Sequence, residues 1–326
     1  MKPNLFHFAT SELSQDAFIC WLLSWADPKF GPSDASLHRL GLAFLGKLLE
    51  MCDVPVPSSV ISVEVHKQFK SIDILAIVNG QIAILIEDKT GTIHHSNQLQ
   101  RYRETISTDF PKHVIAPVYF KTGDQCSYED VRQAGYACFL RKDFISLLEQ
   151  GLALDIHDSI FSDFRDYLSE IEVRVTDYRR LPVAEWHWDC WKGFFTELRE
   201  RLGDGKWDYV ANRSGGFMGF WWHWRTNKYL QLESDKLCFK IEVEDKSLQA
   251  SAWEEWHRIL KVESAKAGFP LIRPSRRKNG TWMTVALLQG EYRQRDENGM
   301  LDINKTVELL QSAERLLDAA ATVKEA

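Results

Sequence analysis

No apolar run in this chain of 326 residues reaches the roughly 18 residues that a helix needs to cross a bilayer. Met1-Lys2-Pro3-Asn4 has no basic stretch leading into a signal-type apolar segment. A soluble, unprocessed chain without a membrane partner is the expectation. The six cysteines (Cys20, Cys52, Cys126, Cys138, Cys190, Cys238) include no CxxC pair, so neither a disulfide framework nor a zinc knuckle is signalled. The cytoplasm is then the natural compartment, and the Asn-x-Ser/Thr triplets at Asn212, Asn279 and Asn304 carry no weight. Internal repeats, low-complexity tracts and phosphate-cradling glycine loops are missing as well. Charge of one sign is also lacking. Forty basic against forty-six acidic residues leave a net charge of -6, which does not announce a nucleic-acid binder. An enzyme that meets phosphates locally needs a basic patch, however, not a basic chain.

What is present is globular material, 44% hydrophobic and 26% charged, enough for one large core or two modest ones. Residues 11–25 space their apolar positions at three and four behind a Thr/Ser cap, which predicts a helix. Asp27-Pro28 and Phe30-Gly31-Pro32 end it. A second amphipathic helix runs from Leu37 to Cys52 and stops at Val54-Pro55-Val56-Pro57. Three strand-like runs follow, Val60 to Val65, Ser71 to Val78 and Gln81 to Glu87, the last two flanking the hairpin signal Asn79-Gly80. A helix over Ser96 to Thr108, a buried strand over Val114 to Phe120, a helix over Ser127 to Ala134 and a short strand over Ala137 to Leu140 come next. The order α, α, β, β, β, α, β, α, β predicts an α/β fold, a mixed central sheet flanked by helices on both faces. Helices over Lys142 to Gln150 and Ile160 to Leu168 close this part, and Pro182 marks the expected boundary between domains 1–180 and 181–326.

Beyond Pro182 the composition shifts, since ten of the twelve tryptophans lie between Trp186 and Trp282. A helix over Ala184 to Leu202 leads into strands Trp207 to Asn212, Phe217 to Arg225, Lys228 to Leu232 and Leu237 to Val243, an antiparallel meander. Helix Trp253 to Lys266, strand Thr281 to Gln289 and helix Lys305 to Ala321 complete an α+β domain.

The two strands from Ser71 to Lys89 are almost wholly apolar, as strands covered on both faces should be, yet each carries ionisable groups at one end. Burying such groups without partners is costly, and a bound cation is one remedy. Parity within the hairpin decides whether they can meet. A two-residue Asn79-Gly80 loop leaves Asp73 and Glu87 on opposite faces. A three-residue loop Val78-Asn79-Gly80 pairs Asp73 with Leu85 and sets Asp73, Glu87 and Lys89 on one face. The odd loop or an equivalent bulge is therefore expected. Asp88 then points the other way, with its backbone carbonyl still able to face a metal. Asp73 and Glu87 would supply hard oxygen ligands for Mg²⁺, which keeps several waters and takes further ligands from phosphate. Lys89 would position the nucleophile or stabilise charge on the phosphate.

Asp73 followed by Glu87-x-Lys89 at the end of the next strand resembles the PD-(D/E)XK nuclease superfamily. The resemblance implies that these residues are its metal-binding carboxylates and catalytic lysine. The helix bearing Glu12 resembles the opening helix of these folds, whose glutamate often completes the metal site. Gln98-Leu99-Gln100-Arg101-Tyr102 resembles the QxxxY motif of RecB-like members, which helps fix the site and meets the nucleic acid. Ile72-Asp73 stands where the family's name has Pro-Asp. The resemblance covers about residues 10–140 and leaves 180–326 without a role. It implies a restriction-endonuclease-like fold and a Mg²⁺-dependent nuclease, with Mn²⁺ as a substitute. Nucleic acid, DNA first, is the implied partner, with restriction, repair or anti-phage defence as the setting; the sequence leaves the oligomeric state open, a homodimer included. The competing reading is a nuclease fold kept as a binding or sensor protein without catalysis, against which the intact Asp73, Glu87 and Lys89 argue.

Other groups carry weaker signals. His94-His95 follows the lysine strand, but adjacent histidines point apart, so a substrate-rim or solvated role is expected rather than joint ligation. Lys67 and Lys70 precede the hairpin as exposed turn lysines within reach of a phosphate. Arg273, Arg276, Arg277 and Lys278 form the densest basic cluster, a candidate phosphate-backbone grip or a solvated hairpin tip. Alternation along Trp221-Trp222-His223-Trp224 places Trp222 and Trp224 on one face and Trp221 on the other, most such rings being core material.

Overall fold

A computed structural model describes residues 2–94, 97–212, 215–277 and 280–325. The chain divides into two compact units, Met1–Val173 and Arg174–Ala326. None of the described helices is long and apolar enough to cross a membrane.

The first unit opens with helix α1 (Glu12–Ser24), started by Ser11, whose Oγ accepts the Ser14 N–H at 3.3 Å. Helix α2 (Ala35–Met51) is capped by Asp34, whose Oδ1 accepts the N–H groups of Ser36 and Leu37, each at 2.9 Å. Strands β1 (Val63–Phe69), β2 (Ile72–Val78), β3 (Ile82–Lys89), β4 (Val114–Lys121) and β5 (Ala137–Leu140) lie side by side in chain order. The first three run antiparallel and the last three parallel. The parallel steps are spanned by α3 (Gln98–Asp109) and α4 (Glu129–Gln133), as parallel neighbours require. Helices α5 (Arg141–Ala153) and α6 (Ser159–Thr176) follow. The mixed sheet flanked by helices is the architecture that the sequence predicts.

Period-two alternation divides the core between the two faces of this sheet. Ile74, Ala76, Ile84, Ile86, Val118 and Phe120 pack with Phe18, Leu22, Phe44, Phe144, Phe161 and Phe164 of α1, α2, α5 and α6. Leu75, Ala83, Leu85 and Tyr119 pack on the opposite face with Leu99, Tyr102 and Ile106 of α3 and Val131 of α4. The central strands are covered on both sides, which explains their unbroken apolar runs. Odd-numbered positions of β2 and β3 face α3, and that parity governs the site described below.

The second unit holds helix α7 (Trp188–Leu202) and then a meander of β6 (Lys206–Val210), β7 (Phe217–Arg225), β8 (Lys228–Glu233) and β9 (Lys236–Glu242). Helix α8 (Gln249–Ala267), strands β10 (Leu271–Ile272) and β11 (Trp282–Leu288) and helix α9 (Ile303–Glu325) complete it. Its antiparallel sheet has the order β10-β11-β9-β8-β7-β6. The two-residue β10 is an addition to the expected elements, too short for any alternation to announce it.

The expected tryptophan alternation fails at one place. The register of β7 on β8 shifts between Trp222 and Arg225, and His223 there takes a left-handed φ of 55°. The His223 N–H donates to Asp204 Oδ2 at 3.3 Å, and its Nε2 lies 2.9 Å from Asp318 Oδ1. This bulge inserts one residue and turns Trp224 away from the face of Trp222. Trp222 Nε1 donates to Glu314 at 2.7 Å, whereas Trp224 stacks on Tyr229 at 4.2 Å.

A Cβ at Gly41 in α2 would stand 2.6 Å from the backbone nitrogen of Ala26, just past the end of α1, and 2.9 Å from the Leu22 carbonyl oxygen within α1, so this close approach leaves no room for a side chain. Gly41→Ala should therefore destabilise the protein by about 1–3 kcal/mol despite alanine's better helix propensity. Chemical denaturation of the two proteins checks this, and an equal or higher stability for the variant would contradict the packing described.

Candidate functional site

The turn between β2 and β3 sets the geometry of the site. Asn79 and Gly80 both adopt left-handed φ, 53° and 61°, and the Gln81 N–H closes the turn on the Val78 carbonyl at 3.0 Å. An uninterrupted ladder would then pair Val78 with Gln81, but Val78 pairs with Ile82. Gln81 is the extra residue. Its carbonyl accepts the Val114 N–H at 2.9 Å, which ties it to the start of β4. The odd parity is as expected, while the expected pairing of Asp73 with Leu85 is replaced. Leu75 faces Leu85 and Ile74 faces Ile86, so Asp73 stands level with Glu87. The expected loop included Val78, whereas the bond from the Gln81 N–H to the Val78 carbonyl centres the turn on Asn79 and Gly80 and keeps Val78 in the ladder.

Asp73, Glu87 and Lys89 consequently share the face that α3 covers. Lys89 Nζ lies 2.6 Å from Glu87 Oε1, 3.6 Å from Asp73 Oδ2 and 3.8 Å from Glu12 Oε2. Asp73 Oδ2 also accepts the Asp88 N–H at 2.9 Å. Glu87 has no solvent exposure, and its Oε2 is buried with no hydrogen-bond partner among the described residues. Burial, reinforced by the charge of Asp73, pushes the Glu87 carboxyl up to about 7 against the opposing pull of Lys89. Burial works against the Lys89 ammonium, but Glu87, Asp73 and Glu12 outweigh it and hold its pKa above the usual value.

The flanking helices complete the arrangement. Gln98, at the start of α3, donates from Nε2 to Glu87 Oε1 at 2.8 Å and to the Tyr102 hydroxyl at 3.1 Å. The i, i+4 spacing puts both on the helix face turned to the sheet. Glu12, in the first turn of α1, accepts at Oε1 from the Thr90 N–H at 3.3 Å and from Thr92 Oγ1 at 2.6 Å. Asp88 goes elsewhere. Its carboxylate points to the α1 face and accepts from Gln15 Nε2 at 2.5 Å, and its carbonyl accepts from Lys89 Nζ at 2.8 Å.

Of the weaker candidates, Lys67 donates to the Leu13 carbonyl at 2.9 Å and Lys70 pairs with Asp109 at 2.6 Å. His94 meets Tyr119 edge-on at 5.8 Å, and His95 lies outside the described residues. In the second unit Arg273 is engaged by Glu254 at 2.7 Å and by the Trp253 ring at 4.7 Å. Arg276 and Arg277 are exposed between β10 and β11, and Lys278 lies outside the described residues.

Lys121, Thr90, Thr92 and Gln15 escaped the sequence reading. Lys121 had the signal that exposed Glu87 and Lys89, a charge ending an apolar strand, but the expected strand stopped one residue short of it. It is the parallel register partner of Lys89 and is buried, and burial pushes its amine down to about 8.

Among the described residues, no three His, Cys, Asp or Glu side chains are grouped as a preformed metal cage. Two carboxylates with an unsatisfied buried oxygen at Glu87 nevertheless suit an ion that keeps most of its ligands as water and phosphate. Because Glu87 is protonated more readily in the folded than in the unfolded chain, its contribution to stability is full below about 4.5 and is lost as pH rises through about 7. Glu87→Gln removes that titration. Thermal unfolding of metal-free protein should therefore show a shallower loss of stability between pH 5 and 8 in the variant, by at most about 3 kcal/mol. Identical pH slopes would refute the assigned titration.

Comparison with known proteins gives one positive finding. The family model of the PD-(D/E)XK nuclease superfamily matches residues 3–154, which lie within the first unit. Searches of curated proteins and of solved structures find no significant match.

Proposed function

Because residues 3–154 match the family model of the PD-(D/E)XK nuclease superfamily, we propose that the chain is a Mg²⁺-dependent nuclease hydrolysing phosphodiester bonds in DNA. The observation that carries this reading is the convergence of Asp73, Glu87 and Lys89 on one face, with Glu87 Oε2 buried and without a hydrogen-bond partner among the described residues. Asp73 and Glu87 would hold the ion, with Glu12 as the next nearest carboxylate to Lys89. When bound, Mg²⁺ supplies positive charge that offsets that of the scissile phosphate and acidifies water.

The chain's own residues perform the remaining tasks. Gln98 donates to the same Glu87 oxygen that Lys89 contacts, which fixes the carboxylate plane and leaves Oε2 as the open donor. Lys89 presents its ammonium to a nucleophilic water or to the phosphate's developing negative charge. Asp73 accepts a backbone N–H from β3, so its carboxylate is oriented before any ligand arrives. The six cysteines form no CxxC pair in the sequence, a usage that favours a reducing, cytoplasmic setting. Restriction, repair or anti-phage defence is the biological setting that the superfamily resemblance favours.

A plasmid-cleavage assay tests the reading. Cleavage in Mg²⁺ should stop on addition of EDTA, and Lys89→Ala or Asp73→Asn should slow it by at least about 100-fold. Lys89→Ala should retain DNA binding. Cleavage that persists in EDTA or in Lys89→Ala, or binding with no cleavage by the unaltered chain, would replace the nuclease reading with that of a binding protein.

A further inference from the structure

Lys121 ends β4 beside Lys89 of β3 and is 1% exposed. Its Nζ donates to the carbonyl of Thr90 at 2.9 Å and to that of Thr92. A buried ammonium is tolerated where its donors are met, so these two carbonyls are held against β4. The far side of the loop is equally restricted. A Cβ at Gly123 would stand 2.0 Å from the Thr90 oxygen, so the segment after β4 accommodates the loop only because position 123 lacks a side chain. The two residues that Lys121 grips by their carbonyls are the same two that hold Glu12, through the Thr90 N–H and Thr92 Oγ1.

We propose that Lys121 is a positioning residue for Glu12. By clamping Thr90 and Thr92 it fixes the carboxylate of α1 at 3.8 Å from Lys89 Nζ, where Glu12 can join Asp73 and Glu87 around a divalent ion. The proposal rests on the metal-dependent reading above. Lys121 reaches the site through two backbone carbonyls and a carboxylate, not through contact with substrate. Thr90 and Thr92 thereby couple the end of β4 to the first turn of α1, elements far apart in the chain.

The test uses the full chain, Mn²⁺ alone as a calorimetric probe, and amide hydrogen exchange in metal-free protein. Lys121→Met should speed exchange at the Thr90 amide by about fivefold or more and weaken Mn²⁺ binding about tenfold. In a Glu12→Gln background, the same substitution should change Mn²⁺ affinity by less than about twofold. Thr92→Val alters an exposed side chain and removes one bond to Glu12. It should weaken Mn²⁺ binding in the same Glu12-dependent way, and it replaces Lys121→Met if that variant does not fold. Unchanged Thr90 exchange in Lys121→Met, or an undiminished loss of affinity in the Glu12→Gln background, overturns the proposal. Absence of Mn²⁺ binding by the unaltered chain sinks the metal-dependent reading instead, and the exchange comparison still decides whether Lys121 fixes the loop that holds Glu12.

Discussion

Lys89 carries an ammonium to the end of a sheet where Glu87, two residues back, has no contact with solvent. Neither charge would be stable there alone, since removal of one partner from a buried pair costs about 3–5 kcal/mol. The 2.6 Å contact between them resolves part of the problem and leaves part of it open. Asp73 and Glu12 bring further negative charge to the same ammonium, and one Glu87 oxygen has no hydrogen-bond partner among the described residues. One amine faces three carboxylates, an imbalance that suits a second cation. This excess of carboxylates around one ammonium joins the fold to the proposed chemistry.

That arrangement depends on a single residue of register. Asn79 and Gly80 make a tight left-handed turn that, by itself, would leave Asp73 and Glu87 on opposite faces. Gln81 changes the parity by standing outside the ladder, and β4 stabilises it there through the Val114 N–H. The parallel strand that follows in the chain thus enforces the register of the hairpin before it. The same strand ends in Lys121, whose bonds to Thr90 and Thr92 govern the loop leaving the hairpin. β4 therefore acts on both ends of β3, setting its register at one and its exit at the other.

Much of this was legible in the sequence, for identifiable reasons. The Thr/Ser cap of α1, the Asn-Gly turn and the apolar runs of β2 and β3 are local signals, and each predicts its element without knowledge of the rest. Parity arithmetic shows that Asp73, Glu87 and Lys89 share a face only if the hairpin loop is odd, a condition that the strands by themselves do not decide. Two kinds of feature were hidden. Gln81 answers to Val114 of β4, and Lys121, whose charge ends an apolar strand, answers to Thr90 and Thr92 beyond β3, so no local pattern reveals either task. His223 breaks the alternation of β7 because Asp204 and Asp318 engage it, and a histidine at left-handed φ has no sequence signature comparable to glycine. Period and propensity describe an element's own preferences, whereas these residues follow contacts made across the fold.

The tryptophans of the second unit show the same principle in another form. Trp222, Trp253 and Trp256 are among its largest fully buried side chains. Several rings also cover cations: Lys228 lies 4.8 Å from the Trp256 ring, Arg273 4.7 Å from Trp253, and Arg293 4.8 Å from Trp191. Lys228 and Arg293 are themselves buried, and an indole face offers such groups both apolar cover and favourable electrostatics. The richness in tryptophan, which composition alone leaves unexplained, thus has a packing cause for these rings. Trp224 and Trp282 remain about half exposed beside Tyr229, and it is the bulge at His223 that puts Trp224 there. A regular strand would have turned that ring to the face of Trp222, so its exposure is a consequence of the backbone irregularity rather than of a shortage of core to receive it.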